Sequence, residues 1–279
     1  MLTSNCTVTS LITEARAHLQ TVSPGASHAL IESVARLVDT LFAGRHPDYQ
    51  KADLKYHNLE HTLLATQCFI DLAEGRHRHG VQPAFNEREF SLGCAAILMH
   101  DAGYLKTWDD RQGTGAKYTT SHVERSCVMA SRFLPGLGVD PDELNGVLNA
   151  IRCTGISSQI SALTFRTDIE RLTGCMVATA DYLGQMADPA YPEKLPALFA
   201  EFEESNDFNQ VPQEKRMFRS AKELMAKTGG FWTHFALPKL EVEYEGVYRL
   251  LSQADGTNPY VESVSSNLKR IAEMAERLD

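Results

Sequence analysis

Two histidines four residues apart give the first chemical signal in this chain. His57 and His61, in KYHNLEHTLLATQCFIDLA, share one face of a helix about one turn apart. That face continues through Leu64, Ala65, Cys68, Phe69 and Leu72, so both imidazoles point toward a core. One histidine on such a face is ordinarily a hydrogen-bonded core residue, whereas two at this spacing point to function. Further along, EREFSLGCAAILMHDAGY is almost entirely apolar or small from Phe90 to Met99 and then ends on His100 and Asp101. An ionisable pair there is costly to bury unless it is paired or bound to a metal. Gly103 is placed to end that helix in a left-handed conformation. The plainer alternative has Asp101 only orienting His100. Asp181, in LTGCMVATADYLGQMA, follows Val177 by four residues and so joins the buried stripe of Met176, Val177 and Ala180. An unpartnered carboxylate there must shift its pKa or find a cation; a loop cap or an arginine partner is the plainer reading.

Two imidazoles and two carboxylates, from His61, His100, Asp101 and Asp181 on three buried helices, make a mixed nitrogen and oxygen ligand set. Such a set suits zinc, manganese or iron, or magnesium at a more oxygen-rich second position.

The order His61, His100-Asp101, Asp181 resembles the H...HD...D metal signature of the HD-domain phosphohydrolase superfamily, over roughly residues 50 to 190. The resemblance implies an all-α fold and metal-dependent hydrolysis of a phosphate mono- or diester of a small, nucleotide-like molecule. Tyr56-His57-Asn58 with His61 is similar to the YHNxxH motif of cyclic-nucleotide phosphodiesterases, which implies His57 as general acid to the leaving oxygen and His61 as a metal ligand. The chemistry agrees: a histidine with a reference pKa of about 6.5, close to a metal-bound water, is suited to protonate an alkoxide. Those enzymes continue HDxxH, whereas this chain reads HDAGY, with Tyr104 in place of the extra histidine; their purine-selecting glutamine has no counterpart in a comparable context.

His122 resembles the histidine that many HD proteins place after the doublet, which binds a second metal or contacts phosphate. Helical steps to Ser126, Met129, Ala130 and Phe133 let it face inward, and a helix-start or surface histidine is the alternative. Where six-ligand dinuclear members carry a further histidine, AIRCTGIS offers Cys153 and Thr154. The implied centre is therefore one divalent metal (Zn, Mn, Fe or Mg) on His61, His100, Asp101 and Asp181, with Asp101 able to bridge to a second, looser ion. Two other classes share the scaffold: di-iron oxygenases, which generally use more histidines than this chain places, and non-catalytic modules that bind a nucleotide or a partner.

The polar segment TWDDRQGTGAKYT, residues 107 to 119, follows directly on the doublet. It reads either as a solvated loop or as a mobile lid bringing Lys117 or Arg111 to a phosphate. It is not a P-loop, because GTGAK lacks the spacing. His77 and His79 read as exposed loop residues, and His18, His28, His46 and His234 carry no motif.

The elements that must position these residues are helical. Helical periodicity predicts helices over roughly 26 to 42, 58 to 75, 87 to 101, 120 to 134, 140 to 152, 167 to 187, 193 to 204, 214 to 228, 238 to 253 and 260 to 278, with Gly and Pro clusters between them. No stretch demands a strand; Leu240 to Tyr244 comes nearest. The expected fold is all-α: a single helical bundle of the HD type over residues 1–205 with a helical extension, 206–279, packed on it. That extension shapes substrate choice or a homo-oligomer interface. Of the 279 residues, 43% are hydrophobic and 23% charged, which fits a folded chain, and the net charge of -9 argues against nucleic acid as partner. A small phosphorylated substrate remains compatible, since a bound cation supplies the missing positive charge. Six dispersed cysteines without a CxxC pair read as reduced core residues of a cytoplasmic protein, and no apolar stretch approaches the ~18 residues of a membrane span or forms a leader.

Overall fold

Side-chain caps in the sequence set where most helices begin. In the computed structural model, which describes residues 6–277, Thr7 and Ser10 form a capping box that starts α1 (Val8–Val22). Asn58 accepts from the His61 N–H to start α3 (Leu59–Arg78), after α2 (Ala29–Phe42). Asn86 with Glu89 caps α4 (Glu87–Met99). Next comes α5 (His122–Phe133); then Asp140 with Glu143, and Pro141 in the first turn, start α6 (Pro141–Cys153). Thr167 caps α7 (Asp168–Met186), α8 (Tyr191–Phe208) follows, Ser220 caps α9 (Ala221–Phe231), and α10 (Pro259–Arg277) closes the chain. The protein is all-α: among the described residues β pairing amounts to one isolated bridge, Tyr49 to Thr107.

All ten helices contribute to one apolar core, which runs from Leu11 through Phe69, Ile97, Ile151 and Val177 to Ile271. The segment after residue 206 is fastened to the rest by buried polar contacts as well as by packing. The Tyr244 hydroxyl donates to the Cys153 carbonyl (3.2 Å), the Tyr260 hydroxyl to Asp71 (2.6 Å), and the Asn267 amide to the Met186 and Asp188 carbonyls (2.9 and 2.7 Å). All six cysteines are free thiols, five of them buried. No helix among the described residues is long and apolar enough to cross a membrane.

Four expectations need correction. α1 was not anticipated, although Leu11, Ala15 and Leu19 form its buried stripe. The helix expected at 214–228 starts later, at Ala221, and runs through Gly229-Gly230 to Phe231. The helix expected at 238–253 is instead a π-helical turn, Lys239–Glu243, and a 3-10 turn, Val247–Leu251, separated by Glu245 and Gly246 at positive φ; Pro238, which has no N–H to give, loosens the preceding turn. His77 is exposed as expected but lies on α3, which runs on to Arg78. The last expected helix ends one residue beyond the described range.

Candidate metal centre

α3, α7 and the turn that follows α4 carry the candidate ligands, and glycines let these elements close on one another. A Cβ at Gly184 would stand 2.7 Å from the Ala65 Cα, so the missing side chain lets α7 approach α3 one turn from Asp181 and His61. Gly103 acts in the same way, and the expectation of a left-handed helix end there was wrong. It lies in the 3-10 turn Ala102–Tyr104 without positive φ, and a Cβ on it would stand 2.0 Å from the His122 carbonyl oxygen. Its N–H donates to the Ser126 hydroxyl (2.8 Å), and its carbonyl accepts from Arg125 (2.6 Å), which docks α5 against the His100-Asp101 turn. Gly103→Ala is therefore expected to cost about 1–3 kcal/mol of stability, measured by denaturant unfolding, and to loosen His122 from the centre.

His100 closes α4, and its Nδ1 lies 2.7 Å from the Ile97 carbonyl. A carbonyl only accepts, so Nδ1 carries a proton, and in the neutral ring that a metal requires Nε2 is the ligand atom. The structure brings four atoms together: Asp101 Oδ2 is 3.2 Å from the Nε2 of both His61 and His100, and Asp181 Oδ1 is 3.3 and 3.4 Å from the same two nitrogens. His61, His100 and Asp101 are buried and offer ligand atoms within 4.8 Å of one another; Asp181, with a side chain 15% exposed, forms the more open edge. Ligand atoms about 2.0–2.2 Å from one ion stand roughly 2.8–3.6 Å apart around a tetrahedron or octahedron, so the observed spacings fit a shared cation.

Burial by itself would lower the pKa of His61 and His100, but the carboxylates of Asp101 and Asp181 outweigh it and raise both, His61 to about 9. Conversely, burial favours neutral Asp101 and Asp181, yet the two imidazoles hold both below the usual carboxylate range. The field thus favours a positive charge among these side chains. Hydrogen bonding does not satisfy the cluster: His100 Nε2 and Asp101 Oδ2 are buried and have no hydrogen-bond partner among the described residues. A buried imidazole nitrogen facing a buried carboxylate oxygen, with neither hydrogen-bonded, is an arrangement that a metal ion resolves. The group can hold a metal ion.

His57 is beside the cluster but not on the helix. Asn58 is extended as the N-cap, so His57 precedes α3, and the expected shared helical face was wrong even though the two rings are 5.5 Å apart. Its Nδ1 is 2.7 Å from Glu201 Oε2, while Glu201 Oε1 accepts from the Lys55 and Tyr56 N–H groups (3.0 and 2.7 Å). Glu201, buried on α8, was not anticipated: it is 144 residues away in sequence, in a run of acidic residues with no motif around it. Tyr104 stacks between His57 and His122, with centroids at 4.7 and 4.5 Å. His122 donates Nδ1–H to the Thr119 carbonyl (2.7 Å), burial lowers its pKa, and its Nε2 is 3.7 Å from Asp101 Oδ1.

Lys117 is not available as a phosphate contact in this arrangement. It is buried within its own loop, with its ammonium on the Asp110 carboxylate and the Gln112 carbonyl and beneath the Tyr118 ring. The segment is also pinned rather than free, because Glu204 holds Thr114 and Asp53 accepts from the Gly115 N–H (2.9 Å). Arg111 is exposed.

Fold and site together define an all-α protein with a buried histidine and aspartate cluster able to hold a metal ion. The Npun_R2479-like family matches residues 110–271, more than half of the chain, and the chain belongs to that family. The matched region contains His122, Asp181, Gln185 and Glu201 and begins after His100-Asp101. No curated protein matches the chain.

Proposed function

We propose that this protein is a metal-dependent phosphohydrolase of the HD-domain type, acting on a phosphate mono- or diester of a small, nucleotide-like molecule. The observation that carries the reading is His57, fixed on a buried carboxylate and standing next to a cluster with orphaned ligand atoms. His61, His100, Asp101 and Asp181 would hold the ion. A bound divalent cation supplies positive charge to the phosphate and lowers the pKa of a coordinated water. Glu201 accepts from Nδ1–H of His57 and leaves Nε2 to give a proton to the leaving oxygen. His122, whose Nδ1–H is taken by the Thr119 carbonyl, presents the lone pair of a neutral ring at Nε2 near the centre.

A screen of nucleotides, cyclic nucleotides and simple phosphate esters with Zn, Mn, Fe and Mg tests this directly. At least one ester is expected to turn over, and His57→Asn is expected to slow it by about 100-fold or more while metal content holds. Absence of turnover across the panel, or a fully active His57→Asn, would contradict the proposal.

A further inference from the structure

Asp181 differs from the other candidate ligands in having a side-chain support on its own helix. Gln185, one turn later on α7, leans back over it as helical side chains do. Its Nε2 donates to the Asp181 carbonyl (3.0 Å) and to Asp181 Oδ1 (3.2 Å), the same oxygen that faces His61 and His100. At its other end, Oε1 accepts from the hydroxyl of buried Tyr56 at 2.6 Å. Both Asp181 atoms are acceptors, so only one orientation of the amide satisfies all three contacts. Turned over, Oε1 would meet two acceptors. The Tyr56 hydroxyl, by donating to Oε1, favours the useful orientation. Tyr56 is itself fixed through its N–H on Glu201 (2.7 Å), the carboxylate that also holds His57.

We propose that Gln185 is a positioning residue that presents Asp181 to the metal centre, its amide locked in the productive orientation by the Tyr56 hydroxyl. This inference rests on the metal reading of the cluster. Without the amide, the carboxylate at the exposed edge of the site is free to rotate toward water, and the ion loses a preset ligand.

The test is calorimetric titration of Mn²⁺ alone into the metal-free full chain, alongside the melting temperature of each metal-free variant. Gln185→Met, which keeps the length and removes the hydrogen bonds, is expected to weaken Mn²⁺ binding by about 10–100-fold. Tyr56→Phe is expected to weaken it less, and the double variant no more than Gln185→Met alone, because the two act through one contact chain. Wild-type affinity in Gln185→Met, or a lowered melting temperature with unchanged affinity, would overturn the proposal and leave Gln185 a structural residue. If Gln185→Met is too unstable to titrate, Tyr56→Phe decides: weaker Mn²⁺ binding upholds the proposal and wild-type affinity overturns it. Failure of the wild-type chain to bind Mn²⁺ would instead remove the metal reading, and this inference with it.

Discussion

Asp101→Asn is expected to abolish metal retention and turnover together. Asp101 Oδ2 faces both His61 and His100, and its Oδ1 faces His122, so no other residue touches as much of the cluster. Loss of a residue that merely supports a ligand costs about 10–100-fold in metal affinity; loss of this central carboxylate is expected to exceed that range. The same substitution also removes the negative charge that balances the imidazoles, so the metal-free protein is destabilised as well. The separating measurement is the gain in stability when metal is added. An ion at 100 times its Kd contributes about 2.7 kcal/mol to the wild-type fold, seen as a raised melting temperature, and the variant is expected to gain nothing. A variant that keeps its metal at full occupancy would remove Asp101 from the ligand set.

Glu201→Gln is expected to have a large effect of a different kind. Glutamine can keep one oxygen for the Lys55 and Tyr56 N–H groups, but its amide then offers N–H to His57 Nδ1 where a carboxylate oxygen accepted before. His57 Nδ1 then accepts instead of donating, so the hydrogen bond that orients the ring for proton donation from Nε2 is reversed. Turnover is expected to fall on the order of 100-fold with metal content unchanged. Combining Glu201→Gln with His57→Asn should add little to either alone, because both remove one proton donor. Near wild-type turnover in Glu201→Gln would show that His57 works without its anchor.

The parts of this site that were legible in the sequence are those in which a polar residue interrupts an apolar helical register. His61, His100, Asp101 and Asp181 stand out because burying them is costly, and the structure brings all four together. The residues that hold them were less legible. Glu201 and Tyr56 meet their partners through tertiary contacts spanning more than a hundred residues, and no local pattern encodes such a contact. The backbone misreadings have local causes. Periodicity put His57 on the helix, but the Asn58 side chain starts the helix two residues later. Glycine's freedom to end a helix suggested a left-handed cap at Gly103, whereas the close passage of the α5 backbone is what requires glycine there. Lys117 looked free because it lies in a polar loop, yet that loop is folded around it, with Asp110 as its counter-ion. The π-helical turn at Lys239–Glu243 has the same apolar spacing as an ordinary helix and differs only in how its backbone closes.

Metal analysis of the protein, purified without chelator and compared with His100→Ala, tests the central claim most directly. The cluster predicts close to one divalent ion per wild-type chain and none in the variant. A wild-type chain that carries no ion and takes up none from Zn, Mn, Fe or Mg, with its fold intact, would contradict it.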